Sequence, residues 1–378
     1  MGAEQVDAIV IGAGLAGSAT AWALTRRGRS VVVLEAFKAG HRRGSSHGSA
    51  RIFRRAYPDP LYVRLTGDAD RLWRQLADEA GEELVLRTGG LDYGPAHEAE
   101  KMYGILKEFG VRAELLPAEA AGERWPGLAF GPDPVLFHPD AGVLDPERTM
   151  AAMRRLAVAA GAKIFYETAV VRVSATTGGA MVEAAGQSWR APVVVVAAGP
   201  WVEPLLGGDP ALVRLPPLSV QQVEAFHFAP WTAAWNGPPP APTFIYHDQT
   251  PAYGVPAGRD GEVPGAFKIG DHYHNQGTVT TGDGRDGIVN PAVRERVRAF
   301  VASRVPGLDP APVGELTCLY TLTASEDFIL DRQGPFVICS ACSGHGAKFA
   351  PLTGEIAADL ACGGDSPDHR FTLAAHVR

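Results

Sequence analysis

The chain is 378 residues long, 46% hydrophobic and 20% charged, a length and composition that fill two domains sharing one extensive core. Its formal charge of −7, with no long basic run, excludes nucleic acid and anionic membrane as expected partners and leaves a small-molecule substrate. No apolar run approaches the roughly 20 residues that span a bilayer, and the first apolar strand lacks the basic flank and cleavage site of a signal peptide, so a cytoplasmic location is expected.

The elements begin with a dinucleotide-binding unit. Residues 7 to 35 read as an apolar strand over Ala8–Ile11, a glycine turn, a helix over Ser18–Arg27 and a second apolar strand ending in Glu35. Gly12 permits the tight turn, Gly14 lets the backbone approach a pyrophosphate, and Gly17 lets the helix pack closely on the strand. The helix N-terminus then presents unpaired N–H groups to the phosphates. Glu35 stands where a carboxylate accepts from both ribose hydroxyls and repels a 2′-phosphate, which disfavours NADP but leaves FAD and NAD both open. The loop at 38–50, with Ser45, Ser46 and several glycines, suits wrapping a phosphate-bearing cofactor through backbone N–H groups.

Leu61 to Asp78 has helical spacing, with Leu61, Leu65, Leu72 and Leu76 on one face. A helix is also expected over Glu98–Phe109, and another from Asp145, as N-cap, to Ala160, with Pro146 at its first position. Alternating strands are expected at 163–173 and 180–184, followed by the continuous apolar strand from Val193, buried on both faces as in a parallel sheet. From about 212 to 320 the pattern becomes β-rich, with strands at Gln221–Phe228, Thr243–Tyr246, Tyr253–Val255, Ala266–Gly270 and Gly314–Leu322. Phe328–Leu330, Phe336–Ile338 and a last helix over Phe349–Leu360 close the chain. The expected fold is α/β (α+β): a Rossmann-like cofactor domain with a parallel sheet, from residues 1–90, 140–210 and 323–378, and a substrate domain with a mainly antiparallel sheet, from 91–139 and 211–322. Cys318, Cys339, Cys342 and Cys362 are too few and too clustered for a disulfide framework, and Cys339 with Cys342 reads as a buried strand end rather than a metal or redox pair. No metal site is expected.

In order along the chain, GAGLAGS with Glu35, GSSHGSARIFR at 44–54, VVVVAAGPW at 193–201, FKIGDH at 267–272, TCLYTLT at 317–323 and SGHGAKF at 343–349 together resemble the monomeric sarcosine oxidase family, which includes N-methyltryptophan oxidase. The resemblance spans nearly the whole chain, and the segments around Cys318 and Lys348 are more specific than the glycine fingerprint. It implies a fold of the D-amino-acid-oxidase type, FAD attached as a thioether through Cys318, and oxidation of secondary or tertiary amino acids by O2, giving H2O2, in a monomeric enzyme. Residue by residue it implies that Arg54 and Lys348 hold the substrate carboxylate, that Arg51 is the cation beside the flavin ring, and that Lys268 activates O2. It also implies that His272, Tyr253 and Tyr320 line the substrate side, while Gly344 and Gly346 join Lys348 in the closing cofactor turn.

Two departures bear on function. Ser49-Ala50 stands where relatives carry Asp-Thr, which removes a hydroxyl near Arg51 and brings in a second reading, a dehydrogenase that passes electrons to another acceptor. A flavin-binding protein without turnover is a third, and the presence of both Arg54 and Lys348 argues against it. Phe244 replaces a methionine of sarcosine oxidases and shares a strand face with Tyr246; facing the pocket, the two rings would admit a bulkier or cyclic secondary amino acid, which is the expectation, while alternation leaves open the other facing, into the core with a small pocket.

Overall fold

The computed structural model describes the chain except for residues 1–2, 208, 232–234, 236–240, 261–262, 264, 272–277 and 378. Its first layer is a six-stranded sheet in the order Lys163–Phe165, Val31–Leu34, Ala8–Ile11, Val193–Val196, Phe336–Ser340 and Ile329–Gln333, parallel except for the last pair. The three central strands are all Ala, Val, Ile or Leu and fully buried, as covering both faces requires. The helix Leu15–Arg26 crosses over this sheet, and it begins three residues earlier than expected because Gly17 already lies inside its first turn. A Cβ at Gly17 would stand 1.8 Å from the Gly12 carbonyl oxygen, so only glycine lets helix and strand meet at this distance.

Helix boundaries elsewhere follow their caps. Asp59 accepts from the Leu61 N–H at 2.9 Å, Pro60 opens the helix Pro60–Ala80, and Gly81 ends it with φ of 69°. Asp145 accepts from the Arg148 N–H at 3.0 Å and starts Pro146–Ala159, as the sequence predicts. The strand expected over 163–173 is two strands. Lys163–Phe165 joins the parallel sheet, the chain breaks at Glu167 with φ of 53°, and Val170–Thr176 starts a separate meander with Gly179–Ala184 and Gln187–Ala191.

The second layer is a mainly antiparallel sheet of nine strands, joined at one parallel pairing of Thr243–Tyr246 with Gly90–Tyr93. Its longest pair, Ser219–Pro230 with Leu308–Leu322, sets Cys318 opposite Val223. Both strands run past their expected ends, because Pro312 and Pro230 fall at register shifts where the ladder needs no N–H. A helix, Pro291–Arg304, stands where only β structure was expected; Asn290 caps it at 2.9 Å and Val293, Val297 and Val301 bury one stripe against the sheet. A small three-stranded sheet, Arg51–Phe53, Gly142–Leu144 and Val85–Arg87, carries the basic segment between the two layers. Among the described residues no helix is long and apolar enough to cross a membrane.

Candidate active site

A cavity of about 570 Å³ runs from the glycine turn to the basic segment, lined at one end by Gly12, Gly14 and Glu35, at the far end by Arg54 and Lys348, and between them by residues that include Arg51, Lys268 and Cys318. At the first end the helix Leu15–Arg26 has no side-chain cap, and its opening residues Leu15 and Ala16 face the cavity. Glu35 is held by the N–H groups of Ala13, at 2.8 Å, and Phe37, at 3.0 Å. Burial opposes its charge, but His41 and these N–H groups outweigh burial and hold the carboxyl below its usual range. Phe37, His41 and Trp201 form an aromatic wall there, with ring centroids 4.9 and 5.2 Å apart. A helix N-terminus opened by a glycine, a glycine cradle, an ionised carboxylate and aromatic rings fit a dinucleotide with its adenosine at this end.

Midway, Ser45, Ser46 and His47 edge the cavity, and the Ser46 Oγ accepts from the Leu15 N–H at 3.1 Å. Arg51 Nη2 lies 3.7 Å from the Cys318 Sγ. Burial works to raise the Cys318 thiol, yet His47 and Arg51 outweigh it and pull the pKa down to about 6. Tyr253 and Tyr320 stand beside it, and burial pushes the Tyr253 phenol up to about 12. Gly344 and Gly346 close this wall; a Cβ at Gly346 would collide with the Ala341 carbonyl oxygen at 1.6 Å.

At the far end two cations meet. The Arg54 guanidinium lies over one ring, Tyr57, at 4.5 Å, and the Lys348 ammonium is 5.6 Å from the same ring. Arg54 reaches the Asp92 carboxylate at 3.3 Å, and His247 Nε2 holds the same oxygen at 2.9 Å with His97 stacked on it. Burial opposes ionisation of Asp92, but Arg54 and His247 bring its pKa down to about 2. Lys348 is 6% exposed and donates to the His345 carbonyl oxygen at 2.7 Å. Burial first, and then Arg54, hold its pKa well below the ordinary lysine value. Asp92, His97 and His247 bring three ligand-type atoms within 4.8 Å of one another, but the carboxylate among them is already held by Arg54.

The structure thus gathers Arg51, Arg54, Lys268, Cys318, Tyr253, Tyr320 and Lys348 on one cavity. His272 lies outside the described residues. Phe244 is a correction. It is 1% exposed and packs on Phe267, at 5.8 Å between centroids, and on Phe300, while Tyr246 packs in the same core. Alternation along the strand puts Ile245, not its neighbours, on the cavity wall. Arg54 is not paired with Glu35 or Asp59; Asp59 takes Arg370 at 2.6 Å. Arg55, beside Arg54, is half-buried with its Nε unpartnered. Cys339 is a buried strand residue and, like Cys342, free. Asp92, His97, Tyr57 and Asp260 escaped sequence reasoning, and His247, legible only as a residue close to the pocket strand, gave no sign of its pairing with Asp92, since nothing in their spacing announces that they meet.

A model of FAD dependent oxidoreductases matches residues 7–360. The chain belongs to that family. The human peroxisomal sarcosine oxidase is 31% identical over 363 residues, covering 94% of this chain and 91% of the relative. Monomeric sarcosine oxidase from a Bacillus species is 32% identical, with 97% and 94% covered, and N-methyl-L-tryptophan oxidase from Salmonella heidelberg is 30% identical, with 95% of each covered. Among solved structures, NikD, an unusual amino acid oxidase essential for nikkomycin biosynthesis, is similar in its open form with a TM-score of 0.82, 26% identity and 98% and 97% coverage. The FAD-dependent oxidoreductases of this fold therefore provide the frame for the cavity.

Proposed function

We propose that the protein is an FAD-dependent oxidase of secondary α-amino acids, N-methylated or cyclic, with the substrate carboxylate held between Arg54 and Lys348. The observation that carries this reading is the buried Lys348 ammonium, which has a carbonyl oxygen as its hydrogen-bond acceptor and no carboxylate partner among the described residues, facing a guanidinium that shares a single acid. A buried ammonium and a partly buried guanidinium that share one counter-charge among the described residues favour an anion between them. Asp92, itself held by His247, fixes Arg54, and both cations lie against the Tyr57 ring, so the anchor is ordered before substrate arrives.

Bound FAD supplies the acceptor for hydride from the carbon next to nitrogen and the centre at which O2 becomes H2O2. Arg51 sets positive charge beside Cys318 in the cavity, where it favours an anionic reduced ring. Lys268 offers a buried ammonium to charge that develops on oxygen. Cys318, drawn toward its thiolate by His47 and Arg51, is the residue assigned to the thioether. The division into an FAD-binding part (1–90, 140–210 and 323–378) and a substrate part (91–139 and 211–322) belongs to the same reading, and the six-stranded sheet falls wholly within the first. A monomeric, cytoplasmic enzyme is proposed with it, the first supported by the Bacillus relative's name.

Anaerobic bleaching of the flavin across a panel of sarcosine, N-methyltryptophan, L-proline and L-pipecolate tests the substrate class. Measuring H2O2 in air and dye reduction under nitrogen then tests the acceptor. Bleaching by none of the secondary amines would defeat the proposal; bleaching with dye reduction but no H2O2 would leave a dehydrogenase.

A further inference from the structure

Lys268 lies in the middle of the strand Phe267–Asp271, only 2% exposed, and its Nζ donates to the Ala50 carbonyl oxygen at 2.6 Å. Ala50 brings no hydroxyl to it. The carboxylate that meets the ammonium comes from elsewhere: Asp260 Oδ2 lies 3.3 Å from Nζ, and the Asp260 side chain is 7% exposed. The Ser49 N–H donates to Asp260 Oδ1 at 2.6 Å. The same serine ties the turn down, because its Oγ accepts from the Arg259 N–H at 2.7 Å and donates to the Ala257 carbonyl at 3.3 Å. Two left-handed glycines make the approach possible. Gly48 has φ of +92° and a Cβ there would stand 2.9 Å from Asp260 Oδ2, while Gly258 has φ of +61° and a Cβ there would stand 2.9 Å from the Ser49 Oγ.

We propose that Asp260 is the positioning residue for Lys268, a buried counter-ion delivered by the turn after Ala257 and latched by Ser49, so that the O2-reacting ammonium depends on this carboxylate. The groups facing Lys268 are Arg51 from the basic segment, His227 from the neighbouring strand, Cys318 from the long strand and Asp260 itself. Burial, and then the Arg51 charge, pull the Lys268 pKa down to about 8, and Asp260 pulls against them. Removing that carboxylate leaves an ammonium beside a guanidinium, with no acid among the remaining groups that face it except the Cys318 thiol. The O2 role of Lys268 rests on the oxidase reading above, whereas the pairing does not.

The chain has six lysines, Lys38, Lys101, Lys107, Lys163, Lys268 and Lys348, so selective 13Cε-lysine labelling of the holoenzyme gives a spectrum simple enough to titrate, with Lys268→Met assigning the resonance. Asp260→Asn is expected to move the Lys268 titration down by roughly one pH unit or more, and Asp260→Glu to restore most of it. If reoxidation by O2 follows the protonated ammonium, the same Asn variant is expected to slow it about twofold near pH 7 and about tenfold near pH 9, recovering at lower pH, while anaerobic reduction by amine changes by less than about twofold. If Asp260→Asn does not fold, Gly48→Ala displaces the same carboxylate and is expected to shift the titration in the same direction. A Lys268 titration that stays in place, or reoxidation that fails to follow it, overturns the proposal. Wild-type reduced flavin that ignores O2 would defeat the oxidase reading and, with it, the kinetic role given to Asp260; an unmoved resonance would defeat the pairing alone.

Discussion

Lys348 and Arg54 are cations of different kinds at one end of the cavity, the first buried with a carbonyl acceptor and the second held by Asp92. Losing a hydrogen-bonded charge of this sort costs about 1.5–3 kcal/mol. Arg54→Ala is therefore expected to raise KM roughly 10- to 150-fold for every α-amino acid in the panel, with a smaller effect on kcat. An equal loss of kcat with KM unchanged would place Arg54 in the chemical step instead. Cys318 sits beside Arg51 at 3.7 Å with its thiol pulled down to about 6, so Cys318→Ser is expected to release flavin into the supernatant on acid denaturation, whereas wild type keeps its colour with the polypeptide. Both residues were readable from short segments of sequence; the Asp92, His97 and His247 group behind Arg54 was not, because Asp92 and His247 come together only where two distant strands pair in parallel.

At the scale of elements, the glycine turn and the strand Thr243–Tyr246 show opposite degrees of legibility. The turn is dictated by local sterics: at Gly17 a Cβ meets the Gly12 oxygen at 1.8 Å. Gly17→Ala must push the helix off the sheet, and the expected result is protein that elutes without flavin, seen as lost absorbance at visible wavelengths. The strand was placed correctly, but its facing was not, since alternation fixes which residues share a side without fixing which side meets the cavity. Phe244 and Tyr246 joined the aromatic core under the helix Pro291–Arg304, an element absent from the expected pattern, and Ile245 took the wall. Phe244→Leu is thus expected to cost ~1–3 kcal/mol of stability while leaving the ranking of amines unchanged. Ile245→Phe should change that ranking by roughly tenfold or more, measured as ratios of kcat/KM.

For the whole molecule, buried neutral histidines set the acid limit. His138 is fully buried with neither ring nitrogen hydrogen-bonded, and burial lowers its pKa to about 4. The unfolded chain takes that proton near pH 6.5, so between about 6.5 and 4 the unfolded state binds more protons and stability falls as pH falls. The full shift corresponds to ~3 kcal/mol from His138, and His97 and His227, lowered to about 4 chiefly by burial, act in the same direction. Calorimetric Tm values measured from pH 7 to pH 4.5 should decline steeply for wild type and less steeply for His138→Leu. Parallel declines would mean that His138 is not held neutral.

The sequence by itself determined the parallel sheet, the glycine cradle, the family and the order of Arg51, Arg54, Lys268, Cys318 and Lys348 along the chain, because turn sterics, apolar runs and short motifs act over a few residues. Only the tertiary structure decided which groups complete those residues. The second pairings of Arg54 with Asp92, Lys268 with Asp260 and Arg51 with Cys318 span separations of 38, 8 and 267 residues. Charge pairing in a buried cavity depends on distance and dielectric rather than on position in the chain, so even the separation of 8 was invisible until a turn and two glycines brought Asp260 back over Ser49.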